Sequence, residues 1–155
     1  MVMASTETID WTFREISTSQ YTHGFHQYPA RMHPEIAKRM IEKYALASKT
    51  VIFDPFMGSG GVLVEAMLHG NNSIGIDLNP EAKKWEKHGF EIFIGSQSDE
   101  KFWTNFYNKV GKIDILLDDG GHYNKQQIIT LNSSVPNITD GGMIVVEDCH
   151  ASYMS

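Results

Sequence analysis

The sequence predicts an α/β domain built on a doubly wound parallel sheet. Three observations lead to this fold class: short apolar runs recur along the chain, segments with helical spacing separate them, and acidic residues follow most of the runs. Strands that alternate with helices favour parallel pairing, and right-handed crossovers leave few strand orders. We therefore expect a Rossmann-like sheet of order 3-2-1-4-5, with ligands at the carboxyl ends of its strands.

Composition and charge limit the classes of protein that remain. The chain has 155 residues, 41% hydrophobic and 21% charged, which suits one soluble domain. We predict a flexible polar arm over residues 1–20 and a single Rossmann-like methyltransferase domain over 21–155. One cysteine, Cys149, excludes an internal disulfide framework and predicts a reducing, cytoplasmic location. The net charge of -6 disfavours a nucleic-acid partner, and no apolar run is long enough to predict a membrane partner.

The first half of the domain contains two predicted helix–strand pairs. In order, we predict a helix over 34–47, a strand over 50–54, a helix over 61–70 and a strand over 73–77. Pro34 suits a first helical turn because its missing N–H is not needed there. Gly70 is the expected C-terminal cap of the second helix.

The second half continues the same alternation. In order, we predict a helix over 80–88, a strand over 90–95, a helix over 98–110, a strand over 113–119, a helix over 124–135 and a strand over 141–148. Asn79 is the expected cap of the first of these helices, with Pro80 at its first position. Either Ser98 or Asp99 is expected to cap the next.

The loop after the first strand, "DPFMGSGG" over residues 54–61, predicts a nucleotide-like ligand. Its glycines let a backbone approach a ligand and open a helix whose N-terminus favours negative charge. Asp77 follows Asp54 at the offset of about 20 residues at which an acid takes a ribose diol. The loop lacks the lysine of a P-loop and the G-x-G-x-x-G spacing. An acid at its entrance instead suits the amino group of S-adenosylmethionine, and the alternative is a tight turn without a ligand.

The stretches "FHQYPARMHPEIAKRMIEKY", "VIFDPFMGSGGVLVEAMLHG" and "SIGIDLNP" resemble the N4-cytosine/N6-adenine DNA methyltransferases over residues 11–80. The resemblance implies that the segment over 25–34 packs beside the cofactor. It also implies that Asp54, Gly58 and Gly60 line the methionine moiety and that Asp77 holds the ribose. Our predicted cofactor-binding residues in this half are Asp54, Phe56, Gly58, Gly60, Asp77 and Asn79.

The pattern of those DNA methyltransferases is incomplete in this chain. They carry an Asp/Asn/Ser-Pro-Pro-Tyr/Phe tetrapeptide that positions the exocyclic amine, and no Pro-Pro pair occurs among the 155 residues. The length also leaves no room for a target-recognition domain. Both features weigh against amino methylation of DNA.

Acidic residues at the ends of the fourth and fifth strands predict a metal site. Neighbouring strand ends lie ~5 Å apart, so Asp119, Glu147 and Asp148 would repel one another without a hard cation such as Mg²⁺. His122 follows across two glycines and is a candidate general base. Alternatively, His122 caps the next helix and the last two acids form a solvated strand end. Asp118 serves either the methionine end of the cofactor or a backbone amide.

The stretches "FEIFIGSQSDEKFW", "KIDILLDDGGHYNKQQIITL" and "GGMIVVEDCHASY" resemble the Mg-dependent macrolide sugar O-methyltransferases and cephalosporin-hydroxylase-like proteins over residues 74–153. That resemblance implies His122 as base and three metal ligands, Asp119, Glu147 and Asp148. It places Gln97 and Asp99 near the adenine, although Ser96 stands where that family usually has Asp. The two resemblances meet near residues 74–90, so the chain is a predicted hybrid.

Both families normally continue with a helix and a hairpin beyond the fifth strand. We therefore expect the C-terminal strands of the usual methyltransferase sheet to be missing, which would expose the strand over 141–148 as an apolar edge. Exposed edges invite pairing, and we predict a homodimer through this edge strand. The predicted function is Mg²⁺-assisted methyl transfer from S-adenosylmethionine to a small hydroxylated acceptor. The alternatives are DNA amino methylation and a cofactor-binding protein without activity.

Overall fold

The computed structural model describes residues 32–45 and 49–149. The five strands are β1 (Val51–Asp54), β2 (Asn72–Asp77), β3 (Glu91–Ile94), β4 (Ile113–Asp118) and β5 (Ile138–Val146). The α-helices are α1 (Pro34–Tyr44), α2 (Gly61–Leu68), α3 (Glu100–Val110) and α4 (Asn124–Ser134). Two 3-10 helices, Pro80–His88 and Val135–Asn137, complete the described elements. The predicted arm over residues 1–20 lies outside the described residues.

The strands form one parallel sheet of order β3-β2-β1-β4-β5, which confirms the predicted fold class and strand order. The central strand β1 pairs with β2 through Asp54↔Gly75 and with β4 through Phe53↔Leu116. Because the strands are parallel, their acidic carboxyl ends lie along one edge of the sheet. The switch point of the strand order falls between β1 and β4, which is where such sheets bind ligands.

Two apolar cores, one on each face of the sheet, hold the helices in place. Successive residues of a strand point to opposite faces, so Ile52 belongs to the core with α1 and α2, and Phe53 to the core with α3 and α4. Trp103 and Phe106 of α3 are almost wholly buried in the second core, and Phe53 stacks on Phe106 with ring centroids 4.9 Å apart. The sheet is therefore covered on both sides, as the apolar runs predicted.

The local signals at the helix ends are largely confirmed. His33 caps α1, whose first residue is Pro34, and the helix ends at Tyr44, before the predicted limit of 47. Residues 46–48 lie outside the described part of the chain. α2 ends at Leu68, and His69 is its C-cap residue. Gly70, the predicted cap, follows His69 and adopts the left-handed conformation with φ +72°.

The segment after β2 is a 3-10 helix, which corrects the predicted helix over 80–88 in type and leaves its limits unchanged. Asn79 caps it as predicted, accepting a hydrogen bond from the backbone N–H of Glu81 at 3.0 Å. In a 3-10 helix each backbone N–H donates to the carbonyl three residues earlier, as the Ala82 N–H does to the Asn79 carbonyl at 3.0 Å. Ala82 is its only buried residue, and Trp85, three residues further on, packs against the same core.

β5 begins at Ile138, earlier than the predicted 141, and runs through Gly141 at φ +81°. Its early start is explained by Asp114 of β4, which accepts hydrogen bonds from Thr139 Oγ1 and from the Val51 backbone, both at 2.7 Å. Among the described residues, β5 has a neighbouring strand on one side only. The homodimer through this edge stays a prediction. In the described part of the chain, every helix is too short or too polar to cross a bilayer.

Candidate functional site

A pocket of about 90 Å³ opens at the carboxyl edge of the sheet, between the loops that follow β1 and β4. The end of β1, the loop after it and the start of α2 supply most of its wall, and the loop after β4 and one residue before α1 supply the rest. The lining residues are Met32, Asp54, Phe56, Met57, Gly58, Ser59, Gly61, Val62, Asp119, Gly120 and His122. The structure thus brings the predicted cofactor-binding loop after β1 and the loop after β4, which carries the predicted base His122, together in one pocket.

Asp54 is the buried acid of this pocket, with 5% of its surface exposed. Burial raises the pKa of its carboxyl to about 8, and the charges of Asp118 and Asp77 act in the same direction. The hydrogen bond that Oδ1 accepts from the Phe56 backbone at 3.0 Å lowers the pKa and offsets part of this rise. A cationic group placed against Asp54 would favour the ionised carboxylate and lower its pKa.

The glycine-rich loop brings its backbone close to the pocket at the glycines. Gly58 and Gly60 have φ values of 46° and 75°, a conformation that residues with a Cβ rarely adopt. The loop is anchored to the sheet by the Met57 N–H, which donates to the Ile76 carbonyl at 2.9 Å. Gly60 is the N-cap residue of α2 and has no side chain to cap its first N–H groups, so they remain available to a ligand.

The other predicted cofactor residues of the first half lie at the end of β2, outside the pocket wall. Asp77 Oδ1 accepts a hydrogen bond from the Asn79 backbone at 2.7 Å, which leaves its second carboxylate oxygen for a ligand. Asn79 uses its side-chain oxygen as a helix cap. Their contact with a ribose stays a prediction.

Gln97 and Asp99, predicted near the adenine, already have protein partners. Gln97 is 2% exposed, and its amide bonds to Asp118, Thr130 and the Gly121 backbone. Asp99 is the cap of α3, which decides between it and Ser98: its Oδ1 accepts from the Lys101 backbone at 2.9 Å. Neither residue lines the pocket.

A group of side chains suited to a metal ion lies where β4 and β5 end. Asp119, His122 and Asp148 each offer one ligand atom, and these atoms lie within 4.8 Å of one another. Glu147, a predicted ligand, is outside this group and shares a hydrogen bond with Asp119. Burial, this bond and the charge of Glu147 raise the pKa of the Asp119 carboxyl to about 8.

Asp118, the last residue of β4, is 1% exposed. Its carboxylate accepts hydrogen bonds from the Gln97 amide at 3.1 Å and from the Gly120 backbone, and burial raises its pKa. Its Oδ2 atom is buried without a hydrogen-bond partner. The predicted backbone contact is therefore present, and one buried acceptor remains for a ligand or water.

The sequence left two roles for His122, general base or cap of the next helix, and the structure excludes the helix cap. The N-cap residue of α4 is Tyr123, and its end has no side-chain cap bond. His122 instead lines the pocket, with its Nε2 atom 3.9 Å from Asp148 Oδ2.

Some residues around the pocket were not predicted individually. Met32, which is 7% exposed, belongs to the segment expected beside the cofactor, whose residues 25–31 lie outside the described part of the chain. Met57 and Val62 are apolar, and an apolar residue in a loop or first helical turn carries no signal that separates a ligand contact from core packing. Gln127 is 8% exposed and contacts the backbone of the β5 end, another role without a local signal.

The parallel sheet of order β3-β2-β1-β4-β5 with helices on both faces is the fold of the class I S-adenosylmethionine-dependent methyltransferases. A family model for DNA methylases of the N6/N4 type matches residues 4–88, more than half of the chain. The chain belongs to this family.

Individual relatives come from two kinds of methyltransferase. Type II methyltransferase M.MvaI of Kocuria varians is 40% identical over 77 residues, which is 48% of this chain and 17% of that protein. The 8-demethyl-8-alpha-L-rhamnosyl tetracenomycin-C 2'-O-methyltransferase of Streptomyces olivaceus is 27% identical over 101 residues, 64% of this chain and 26% of that protein. The chain thus spans about a quarter or less of these relatives.

Solved structures support the same fold. The MycE methyltransferase from the mycinamycin pathway, in complex with Mg, SAH and mycinamycin VI, superposes with a TM-score of 0.64 at 18% identity. The match covers 79% of this chain and 35% of that one. The mixed resemblance to DNA methylases and macrolide sugar O-methyltransferases expected from the sequence is confirmed.

Proposed function

We propose that this chain binds S-adenosylmethionine and transfers its methyl group to a hydroxyl of a small molecule, with help from Mg²⁺. The observation that carries this proposal is that one pocket is lined by both Asp54 of the glycine-rich loop and His122 of the loop after β4. The first is the expected partner of the cofactor's amino acid end. The second is the expected base.

The pocket suits the methionine end of the cofactor in charge and shape. The buried Asp54 carboxyl can take the ammonium group, and the open N-terminus of α2 can take the carboxylate. The pocket lies at the end of β1, beside Asp54 and the N-terminus of α2, so we assign it to the amino acid end of the cofactor. The nucleoside would therefore extend along the edge of the sheet toward Asp77, whose second carboxylate oxygen can bind the ribose.

The residues at the β4 and β5 ends fit Mg²⁺. Carboxylate oxygens are the ligands Mg²⁺ prefers, and Asp119 and Asp148 supply them within 4.8 Å of the His122 ring. Burial is the main cause of the raised pKa of Asp119, and the neighbouring acids Glu147, Asp54 and Asp148 add to it; a bound cation would favour the ionised carboxylate. Glu147 would complete the set by giving up its bond to Asp119. When bound there, Mg²⁺ would lower the pKa of a coordinated acceptor hydroxyl.

In the proposed reaction, His122 removes the proton from the acceptor hydroxyl. The oxygen's electron pair forms the new O–CH₃ bond as the C–S⁺ bond breaks, and the electrons of that bond return to sulfur. The products are a methyl ether, S-adenosylhomocysteine and one proton, held first on the imidazole. Asp148, 3.9 Å from His122 Nε2, would stabilise the resulting imidazolium.

A transfer assay tests this function. The chain is incubated with S-adenosylmethionine carrying a labelled methyl group and with methyl rhamnoside, with Mg²⁺ or with EDTA. We expect labelled methyl ether with Mg²⁺, and at least tenfold less with EDTA or in a His122→Gln variant. Equal product in all three samples would contradict Mg²⁺-assisted transfer through His122.

A second candidate is amino methylation of DNA, favoured by the family match over residues 4–88 and by the 40% identity to M.MvaI. The same assay with a mixed-sequence DNA duplex distinguishes the two. Label in N-methylated bases, with binding that weakens steeply as salt rises, would support this candidate. Cofactor binding without label in either acceptor would support the third reading, a binding protein without activity.

A further inference from the structure

A single buried amide joins the loop after β3 to the loop after β4. Gln97 Nε2 donates to Asp118 Oδ1 at 3.1 Å and to Thr130 Oγ1 at 3.3 Å, while its Oε1 accepts from the Gly121 N–H at 3.1 Å. Its partners lie 21 to 33 residues further along the chain. Every polar atom of this side chain therefore has a protein partner.

The orientation of the Gln97 amide follows from its neighbours. A backbone N–H can only donate, so the amide oxygen must face Gly121, and the amide nitrogen then faces the carboxylate of Asp118. The loop is shaped around this amide, because a Cβ at Gly120 would lie 2.6 Å from both Gln97 Oε1 and Asp118 Oδ1. Residues 118–121, which include Asp119 and lead into His122, are thus held against Gln97 at both ends.

A second buried amide holds the end of β5. Gln127 of α4 is 8% exposed, and its Nε2 lies 3.4 Å from the carbonyl oxygens of both Glu147 and Asp148. Asp148 has φ +52°, in the left-handed region that aspartate adopts more readily than most residues with a Cβ. Gln127 and Thr130 are three residues apart and share one face of α4. This helix therefore contacts both anchoring networks.

We propose that Gln97 and Gln127 are positioning residues that set the relative placement of Asp119, His122 and Asp148. This inference rests on the proposed function for its consequence, which is metal affinity. Under this proposal Gln97 positions the loop after β4, and this role replaces the adenine contact expected from the sequence. Removing a group that is hydrogen-bonded directly to a metal ligand commonly lowers metal affinity by 10- to 100-fold. These two amides act on the neighbours and backbone of the proposed ligands, so we expect the lower end of this range.

The test uses Gln97→Met and Gln127→Met, which keep side-chain volume and remove the hydrogen bonds. Asn105→Ala, which removes an exposed amide from α3, is the control. Three quantities are measured in the full chain: hydrogen exchange of the Gly121 amide, affinity for Mn²⁺ as a probe of the metal site, and affinity for S-adenosylhomocysteine. Thermal unfolding checks that each variant folds, and Thr130→Val replaces Gln97→Met if that variant does not.

In Gln97→Met we expect exchange at Gly121 to accelerate at least tenfold and Mn²⁺ affinity to fall about tenfold. Affinity for S-adenosylhomocysteine should stay within threefold. In Gln127→Met we expect a similar loss of Mn²⁺ affinity, with hydrogen exchange of the Gly121 amide unchanged. The proposal would be overturned if Gln97→Met left the exchange of the Gly121 amide unchanged and lowered affinity for S-adenosylhomocysteine tenfold. That result would support the adenine contact of Gln97 instead. If wild type binds no Mn²⁺, the proposed metal function fails, and the Gly121 result still decides the positioning role of Gln97.

Discussion

The Nε2 atom of His122 lies 3.9 Å from Oδ2 of Asp148, although the two residues belong to different loops of the sheet edge. This pair joins the end of β4 to the end of β5 beside the pocket that Asp54 also lines. The distance allows a proton taken up by His122 to be stabilised by a carboxylate. It also allows both side chains to face one cation. The following predictions separate these contributions.

Replacing His122 by glutamine should remove the base without removing the cofactor site. We expect methyl transfer to a hydroxylated acceptor to fall 10²- to 10⁴-fold, the usual contribution of a general base. Affinity for S-adenosylhomocysteine, measured by calorimetry, should change less than threefold. His88→Gln, on the exposed 3-10 helix, is the control. A loss confined to cofactor binding would show that His122 is not the base.

Replacing Asp119 by asparagine should weaken the metal site. Removing one carboxylate from a set whose ligand atoms lie within 4.8 Å should lower Mg²⁺ affinity at least tenfold, measured by competition with Mn²⁺. The control is Glu91→Gln, which changes an exposed acid at the opposite end of the sheet. Equal metal affinity in wild type and Asp119→Asn would remove this residue from the ligand set.

Replacing Asp54 by asparagine should change how stability depends on pH. Folding raises the pKa of Asp54 from 3.8 to about 8, so its carboxyl favours the folded state least at high pH. Between these values the unfolding equilibrium constant of wild type should rise up to tenfold per pH unit relative to the variant. Urea unfolding at pH 5.5 and 8.5 should therefore show a stability advantage of Asp54→Asn that grows with pH. An advantage that shrinks with pH would contradict the raised pKa.

The same substitution, Asp54→Asn, should weaken binding of S-adenosylmethionine. A buried carboxyl that ionises against an ammonium group releases a proton on binding at neutral pH. Calorimetry in buffers with different ionisation enthalpies should detect that proton in wild type and not in Asp54→Asn. Affinity should fall at least tenfold in the variant. Identical affinity and no proton release in either protein would place the cofactor elsewhere.

Gly95 should be intolerant of any side chain. A Cβ there would overlap the ring of Phe102, which packs against Trp103 and Phe106 in the second core. Alanine should therefore destabilise the fold by about 1–3 kcal/mol, the usual range for overpacking. Ser98→Ala, an exposed change in the same loop, is the control and should stay within about 0.5 kcal/mol. Equal midpoints in urea would contradict this packing.

The sequence predicts the elements best where the signal is local. The caps formed by Asn79 and Asp99 use side chains adjacent to the N–H groups they bind, so residue type and position identify them. The early start of β5 depends on Asp114, which lies 25 residues from Thr139 in the chain. The 3-10 geometry after β2 is a matter of which backbone groups pair, as in the bond from the Ala82 N–H to the Asn79 carbonyl. Neither property can be recognised from a run of residue types.

The candidate site divides in the same way. Asp54, Asp119 and His122 could be predicted because acids and histidines after apolar runs are unusual unless they serve a polar site. The bonds of Gln97 could not, because their partners lie at least 21 residues away in the sequence. The resemblance predicts an adenine contact for Gln97, which stays a prediction, and gives no indication of these buried bonds.

The most direct test of the account is a calorimetric titration of the full chain with S-adenosylmethionine, with and without Mg²⁺, on wild type and Asp77→Ala. The control is Asp140→Ala, an exposed acid at the other end of the sheet. We predict binding to wild type and the control, at least tenfold weaker binding to Asp77→Ala, and a separate heat from Mg²⁺. Equal binding to all three proteins, or no binding at millimolar cofactor, would contradict the claim that these loops form one methyl-transfer site.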